Sequence, residues 1–195
     1  MTLPVLFDSM PTLDLPFLAT IEEPDMTTVA RAETPEDLDA VRDLVRTFVG
    51  WAMAEIAKTD NPAVFAGLEA ELAGLPGRYG PPVGCLVLAK LDGVPVGCVG
   101  FFDRGNHTME VKRMFVRPEA RGRGVGGRLL DALLVQAQAS GHRRCLLWTH
   151  HTMHRAQSLY ASTGFRPVPL SDDFPGAAAG VDICMELVLP AKAMA

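Results

Sequence analysis

The sequence predicts an α/β protein whose domain is built around a mixed β-sheet. Two apolar segments are joined by Leu91-Asp92-Gly93, and Asp-Gly is a strong signal for a hairpin between antiparallel strands. Further along, an extended segment, a glycine-rich loop, an amphipathic helix and an apolar run follow one another, which is the order of a β-α-β unit with parallel strands. We therefore expect a twisted mixed sheet of about six to seven strands, flanked by about four helices.

The predicted elements follow the order β-α-α-β-β-β-α-β-α-β-β. Strands are expected where apolar residues run between turn residues, at 28–32, 85–90, 94–102, 107–116, 144–149, 165–168 and 181–188. Helices are expected where apolar residues recur at helical spacing, at 34–57, at 62–73, from Gly124 to the stop at Ser140-Gly141, and at 153–163. The first helix has a clear start, because Thr34 suits the N-cap and Pro35 suits the first turn.

A chain of 195 residues is long enough for one substantial core and short for two. Residues 1–27 contain four prolines and are interpreted as an irregular arm, residues 28–189 as the domain and residues 190–195 as a short tail. The arm lacks the basic start of a signal peptide, and no apolar segment approaches the roughly 20 residues that span a bilayer. A cytoplasmic protein that does not bind a membrane is therefore expected.

The net charge and the positions of the cysteines argue against several kinds of ligand and site. The net charge is −5, which does not favour nucleic acid as a ligand. The four cysteines lie far apart and form no C-x-x-C pair, so neither a zinc ribbon nor a thioredoxin-like site is predicted. Each lies within an apolar stretch, which is typical of a small buried thiol in a reduced protein.

Glycines at 122, 124, 126 and 127 stand just before a strongly amphipathic helix. So many glycines weaken a helix start and increase the backbone entropy lost on folding, so a functional reason is expected. Bare N–H groups at a helix N-terminus can point at an anion, and Arg121 and Arg123 add positive charge beside them. The alternative is a flexible turn that binds nothing.

Two familiar phosphate-binding loops do not fit. A P-loop ends in Gly-Lys-Ser or Gly-Lys-Thr, whereas this loop ends in Gly127-Arg128-Leu129. The spacing of glycines at 122, 124 and 127 does match the dinucleotide-binding pattern. However, five residues separate that loop from the preceding strand, and the next strand ends in Trp148-Thr149-His150 without an acid for the ribose.

The motifs instead resemble the GCN5-related N-acetyltransferase (GNAT) superfamily. Arg121-x-x-Gly124-x-Gly126 matches its Q/R-x-x-G-x-G/A signature, and residues 110–118 look like the strand before it. Ala156-x-x-Leu159-Tyr160-x-x-x-Gly164-Phe165 is similar to its second hallmark. The resemblance covers about residues 28–188, and an L-P-G-x-Y-x-P-P loop from Leu75 resembles uncharacterised bacterial members.

The resemblance implies a GNAT-like fold in which the fourth and fifth strands splay apart around acetyl-CoA, a co-substrate used without a metal. By that resemblance, the backbone of the fourth strand pairs with the pantetheine arm and the glycine loop holds the pyrophosphate. The implied cofactor-binding residues are Met114, Phe115, Val116, Arg121, Gly122, Arg123, Gly124, Val125, Gly126 and Gly127.

Two residues are candidate catalytic groups. Glu110 stands at the spacing from Arg121 at which histone-acetylating members of the family carry a glutamate base, and strand alternation predicts that it shares a face with Lys112, Met114 and Val116. The alternative for Glu110 is a surface ion pair with Lys112. Tyr160 occupies the position of the family's general acid, and its alternative is a packed aromatic with an exposed hydroxyl.

Three histidines, at 150, 151 and 154, invite a metal site, but no acid or cysteine completes a zinc ligand set with them. They are expected to line the acceptor pocket or to be solvated. The predicted function is acetyl transfer to the amine of a small molecule by direct attack. A non-catalytic acyl-CoA sensor and a protein or peptide N-acetyltransferase are the alternatives, and homodimerisation is left open.

Overall fold

A computed structural model describes residues 26–56 and 67–190. The predicted arm and tail lie almost wholly outside these residues, as does the first part of the helix predicted at 62–73. The described strands are β1 (Thr27–Arg31), β2 (Cys85–Leu91), β3 (Val94–Gly105), β4 (Thr108–Val116), β5 (Arg144–His150), β6 (Arg166–Val168) and β7 (Asp182–Val188). The described helices are α1 (Pro35–Ile56), α2 (Leu68–Ala73), α3 (Val125–Ala139) and α4 (His154–Ser162).

The strands form one seven-stranded sheet in the order β1-β2-β3-β4-β5-β7-β6. Every adjacent pair is antiparallel except β4 and β5, which are parallel. This exception arises because α3 connects β4 to β5 and returns the chain to the same end of the sheet. The mixed sheet predicted from the hairpin and the β-α-β order is confirmed.

The parallel pair is joined over a short length. Its register covers Thr108 with Arg144, Met109 with Cys145, and Glu110 with Leu146. β4 continues to Val116 and β5 to His150, so the two strands diverge after Glu110. The splayed strands that the family resemblance implied are therefore present, and Glu110 is the last β4 residue before the gap.

Apolar clusters cover both faces of the sheet. On one face, α3 buries Leu129, Leu130 and Leu133 completely in a cluster that includes Phe101 and Met109. On the other face, α1 packs against β3 and β4 in a cluster that includes Phe102 and Phe115. Each large side chain removed from water in this way contributes roughly 1.5–3 kcal/mol to folding.

The four cysteines are free and buried, as their apolar surroundings predicted. Burial raises the pKa of the Cys98 and Cys145 thiols to about 12. These thiols therefore stay protonated at neutral pH.

Among the described residues, no helix combines the length and the apolar character needed to cross a bilayer.

A bulge in β4 changes which side of the sheet its side chains face. Lys112 pairs with Gly100 and Phe115 with Cys98, so Arg113 and Met114 together oppose Val99. Arg113 takes a left-handed backbone conformation, with φ of 59°. One extra residue reverses the alternation of side chains along a strand.

The bulge corrects one prediction from strand alternation. Glu110 and Lys112 do share a face, the one covered by α1, because Glu110 lies opposite Phe102 in the register. Met114 and Val116 instead pack against the cluster beneath α3. The expectation that all four side chains lie on one face was wrong, because regular alternation ends at Arg113.

Candidate active site

A cavity of about 780 Å³ occupies the gap between β4 and β5. Its lining includes residues from β3, β4, β5 and α4, and from the segment between β6 and β7. Glu110, Met114 and Tyr160, which lie far apart in the sequence, all line it. Both predicted catalytic residues therefore share a cavity with Met114, one of the β4 residues predicted to bind acetyl-CoA.

Tyr160 lies in an apolar setting at the cavity wall. The residue is 7% exposed, and its ring meets that of Phe165 edge-on with centroids 5.9 Å apart. Burial raises the pKa of the phenol well above its ordinary value. The hydroxyl therefore keeps its proton at neutral pH and can act as a donor.

Glu110 is only 4% exposed, yet its carboxylate is held by two cations. Arg104 donates to Oε2 at 2.5 Å, and the ammonium of Lys112 lies 2.8 Å from Oε1. The pair with Lys112 exists, but it is buried rather than on the surface. Arg104 was missed because the sequence does not reveal how β3 and β4 are aligned.

Lys112 also spans the gap between the strands. Its Nζ lies 4.0 Å from the ring centroid of Trp148 on β5, within range of a cation–π interaction. Burial lowers the pKa of the Lys112 ammonium below its ordinary value, although the adjacent Glu110 opposes this change. Lys112 is thus held between a carboxylate on its own strand and an aromatic ring on the other.

A second cluster, centred on Glu71 of α2, was not predicted. Oε1 of Glu71 accepts from Arg113 Nε at 2.7 Å and from the Tyr79 hydroxyl at 3.0 Å, while Oε2 accepts from Arg78 at 2.7 Å. Burial alone would raise the pKa of this carboxyl. The hydrogen bond and charge of Arg113, with the charge of Arg78, outweigh burial and hold that pKa below its ordinary value.

The Glu71 cluster explains part of the Pro-rich loop between α2 and β2. Tyr79 is 1% exposed, and burial is the main reason that its pKa rises to about 12. The Arg78 guanidinium lies over the Phe102 ring, 4.0 Å from its centroid. The loop therefore brings an ordered guanidinium to the cavity wall. The sequence indicated a shaped loop but gave no sign of its partner on α2.

The glycine loop combines open space with one close contact. Gly122 and Gly124 have φ of 81° and 76°, and a Cβ atom at either position would have no heavy atom within 4 Å. Gly127 also faces open space. At Gly126, by contrast, a Cβ would lie 2.9 Å from Leu159 Cδ2. Three glycines thus leave room for a ligand, whereas Gly126 allows the Leu159 side chain of α4 to pack closely against α3.

The other residues predicted to bind acetyl-CoA could do so through their side chains or through their backbone. Phe115 and Val125 are buried in the core, so only their backbone atoms are available to a ligand. Arg121 donates from Nε to the carbonyl of Val116 at 3.0 Å, which fixes the glycine loop to the end of β4. Gly124 is the N-cap of α3, so the following amides open toward the helix N-terminus.

Of the three histidines, only His150 lines the cavity. Its Nδ1 lies 2.7 Å from the Thr152 hydroxyl and accepts from the Thr152 amide at 3.3 Å. Those contacts place the ring proton on Nε2, which makes His150 a hydrogen-bond donor. His151 and His154 are exposed. Within residues 26–56 and 67–190, no three His, Cys, Asp or Glu side chains form a group that could hold a metal ion.

Comparison with known proteins gives matches to acetyltransferases. The chain matches the acetyltransferase (GNAT) family over residues 40–165. It is 30% identical over 146 residues to an uncharacterized N-acetyltransferase of Schizosaccharomyces pombe, a match that covers 74% of this chain and 85% of that protein.

Solved structures share the fold. An acetyltransferase from Streptococcus agalactiae has a TM-score of 0.67 at 21% identity, over 84% of this chain and 98% of that one. The PaiA N-acetyltransferase from Thermoplasma acidophilum, solved in complex with coenzyme A, has a TM-score of 0.65 at 18% identity, over 83% and 98% of the two chains.

Gly124 provides a test of the glycine loop as an anion site. We expect Gly124→Glu to weaken coenzyme A binding at least tenfold, because its carboxylate would enter the space next to the α3 N-terminus and repel a pyrophosphate. Gly124→Gln has nearly the same volume and the same unfavourable φ, so it should weaken binding less. Isothermal titration calorimetry with coenzyme A measures both. Unchanged affinity in folded Gly124→Glu would contradict this location for the pyrophosphate.

Glu71 provides a test of the second cluster. Glu71→Gln should lower the free energy of unfolding by about 1–3 kcal/mol at pH 7, because it weakens charged hydrogen bonds to Arg78 and Arg113. Since the folded-state pKa of Glu71 lies below its unfolded value, the wild-type advantage should be complete well above pH of about 4.3. It should disappear as the pH falls through the folded-state pKa.

Urea unfolding between pH 7 and pH 3 measures this difference in stability. Glu69→Gln is the matched control, because Glu69 lies on the same helix but pairs with Arg46 on the exposed surface. That variant should behave nearly as wild type. Equal stability of Glu71→Gln and wild type at neutral pH would show that the cluster does not stabilise the fold.

Proposed function

This chain belongs to the acetyltransferase (GNAT) family and is an N-acetyltransferase, and from that premise we propose that its acceptor is the amine of a small molecule. The cavity carries this proposal. Its volume of about 780 Å³ falls in the range of small-ligand sites, roughly 300–1,000 Å³. The segment between β6 and β7 contributes Pro175, Gly176 and Ala178 to its wall, and buried Phe174 anchors that segment. A cavity of this volume with a wall on this side suits a small acceptor better than a polypeptide.

The donor in this proposal is acetyl-CoA, whose pantetheine arm lies along β4 beyond Glu110. That edge has no register partner on β5, so its backbone groups, apart from the Val116 carbonyl that accepts from Arg121, can pair with the amide groups of the arm. The pyrophosphate lies at Gly122, Gly124 and Gly127, and an N–H of β4 polarises the thioester carbonyl. Phe115 and Val125 contribute through their backbone alone.

The reaction is direct attack by the amine nitrogen on the thioester carbonyl carbon. The C–N bond forms, the C–S bond breaks, the nitrogen loses one proton and coenzyme A leaves as its thiol. We assign removal of the proton to Glu110, which lies where β4 and β5 part. Both of its oxygens already accept from a cation, so we propose that a water molecule relays the proton.

Tyr160 is assigned as the proton donor to the leaving sulfur. Its buried phenol is protonated at neutral pH and lines the same cavity as Glu110. A thiol has an ordinary pKa of about 8.5, so its anion leaves without full protonation. The contribution of Tyr160 to the rate is therefore expected to be modest.

Release of the coenzyme A thiol from acetyl-CoA tests the proposed acceptor class. A panel of small primary amines and a panel of short peptides would be compared under the same conditions. We expect at least one small amine to support release above the rate of hydrolysis. Release with peptides alone would overturn the proposal and favour a protein or peptide acceptor.

Glu110→Gln tests the base. We expect kcat/KM to fall about 100-fold at pH 7, where the amine is mostly protonated, because general-base assistance is lost. The deficit should shrink as the pH approaches the amine pKa and the free amine becomes abundant. The measurement is a pH–rate profile of both proteins. Glu186→Gln is the control, because Glu186 also pairs with an arginine, at 2.6 Å, but does not line the cavity. A deficit that is the same at every pH would remove Glu110 from the proton transfer.

Tyr160→Phe tests the acid. We expect kcat to fall about tenfold with the KM for acetyl-CoA nearly unchanged, because the phenol acts on the departing sulfur and not on ground-state binding. Steady-state kinetics at saturating acceptor measures the separation of kcat from KM. An unchanged kcat in a variant of normal thermal stability would reduce Tyr160 to a packing role.

A further inference from the structure

The cavity wall formed by β3, β4 and the loop before β2 has more cations than carboxylates. Arg78 and Arg113 share Glu71, while Arg104 and Lys112 share Glu110. In the described structure each cluster therefore has two cations for one carboxylate, an excess of one positive charge. This excess is opposite in sign to the net charge of −5 on the whole chain.

These cations are largely withdrawn from water. The side chains of Arg104, Lys112 and Arg113 are 24%, 21% and 19% exposed. A desolvated cation without a matching anion is unfavourable, and an anion that enters the cavity relieves that cost. Asp182 is the remaining carboxylate of the lining, but it belongs to β7 across the gap and accepts from the Ala178 amide at 2.8 Å.

The donor does not bring an anion to this wall. Under the proposed function, the phosphates of acetyl-CoA lie at the glycine loop beside α3, and the pantetheine arm and thioester that enter the gap are uncharged. The cation-rich wall lies on the other face of the sheet, where Glu110 and Phe102 lie opposite each other. Any anion that balances the wall therefore belongs to the acceptor.

Arg78 is the cation best arranged to receive this anion. Its side chain is 47% exposed, the most accessible of the four. Its contacts with Glu71 and Tyr79 both use Nη2, and the guanidinium is stacked on Phe102. The planar group is thus held in one orientation with other N–H donors available, an arrangement suited to a carboxylate.

We propose that the acceptor carries a carboxylate beside its amine, as an amino acid does, and that Arg78 binds this carboxylate while the amine faces the thioester. The proposal rests on the proposed function, because it identifies the acceptor of that same site. It makes the loop before β2 the part of the chain that selects the acceptor.

The test compares matched acceptors by release of the coenzyme A thiol. Each amino acid is paired with the amino alcohol that lacks its carboxylate, and with the corresponding amino phosphonate. Wild type should use at least one amino acid with a kcat/KM at least tenfold above those of its alcohol and its phosphonate. Higher activity with the phosphonate would overturn the assignment of a carboxylate.

Arg78→Gln should raise the KM for the preferred amino acid at least tenfold, leave the KM for acetyl-CoA unchanged, and remove the preference over the alcohol. Arg46→Gln is the control. Arg46 is similarly exposed and pairs with Glu69 of α2, the helix that also carries the partner of Arg78, but neither residue lines the cavity. This control variant should match wild type. Thermal melting checks that each variant folds. If Arg78→Gln does not fold, Arg78→Lys is measured in its place, and the preference of wild type for the amino acid over its alcohol and its phosphonate is the second test.

Two failures have different meanings. If wild type acetylates amino alcohols as well as amino acids, or Arg78→Gln keeps the wild-type preference, the carboxylate assignment is wrong while the small-molecule function stands. If no small amine of any charge supports release of coenzyme A, both are wrong.

Discussion

The ion pair between Glu71 and Arg113 supports the irregularity on which the site is built. Arg113 has a backbone conformation that is unfavourable for a residue with a side chain, at a cost of about 1–3 kcal/mol. The 2.7 Å hydrogen bond from Arg113 to a carboxylate of α2 offsets part of that cost. Without the bulge, regular alternation would turn Phe115 away from the α1 cluster and Met114 away from the α3 cluster. The packing of both faces therefore depends on this residue.

The same bulge gives β4 two separate roles. Before it, Glu110 and Lys112 face the α1 side and form the charged wall of the cavity. After it, the strand has no register partner on β5, and its side chains anchor it in both cores. Under the proposed function, one strand thus presents charged side chains to the acceptor and unpaired backbone to the donor, with Arg113 between the two segments.

Much of the fold could be predicted because it depends on local patterns. Apolar periodicity located α1 and α3, and the Asp-Gly turn located the β2–β3 hairpin. The splayed strands followed from the family resemblance, and the site residues that the two hallmark motifs imply stay predictions. The change of facing at Arg113 could not be predicted, because a bulge inserts one residue without a sequence signal. Glu71 and Arg104 were missed for a related reason: Glu71 lies 42 residues from Arg113, and Arg104 reaches Glu110 across strands of unknown alignment.

The contact between Gly126 and Leu159 connects the two hallmark motifs in space. Leu159 Cδ2 fills the space that a Cβ at residue 126 would occupy, and Tyr160 follows Leu159 on the same helix. A side chain at position 126 therefore requires the end of the Leu159 side chain to move. A redesign of this enzyme for a bulkier acyl donor that substitutes residue 126 must therefore substitute residue 159 as well.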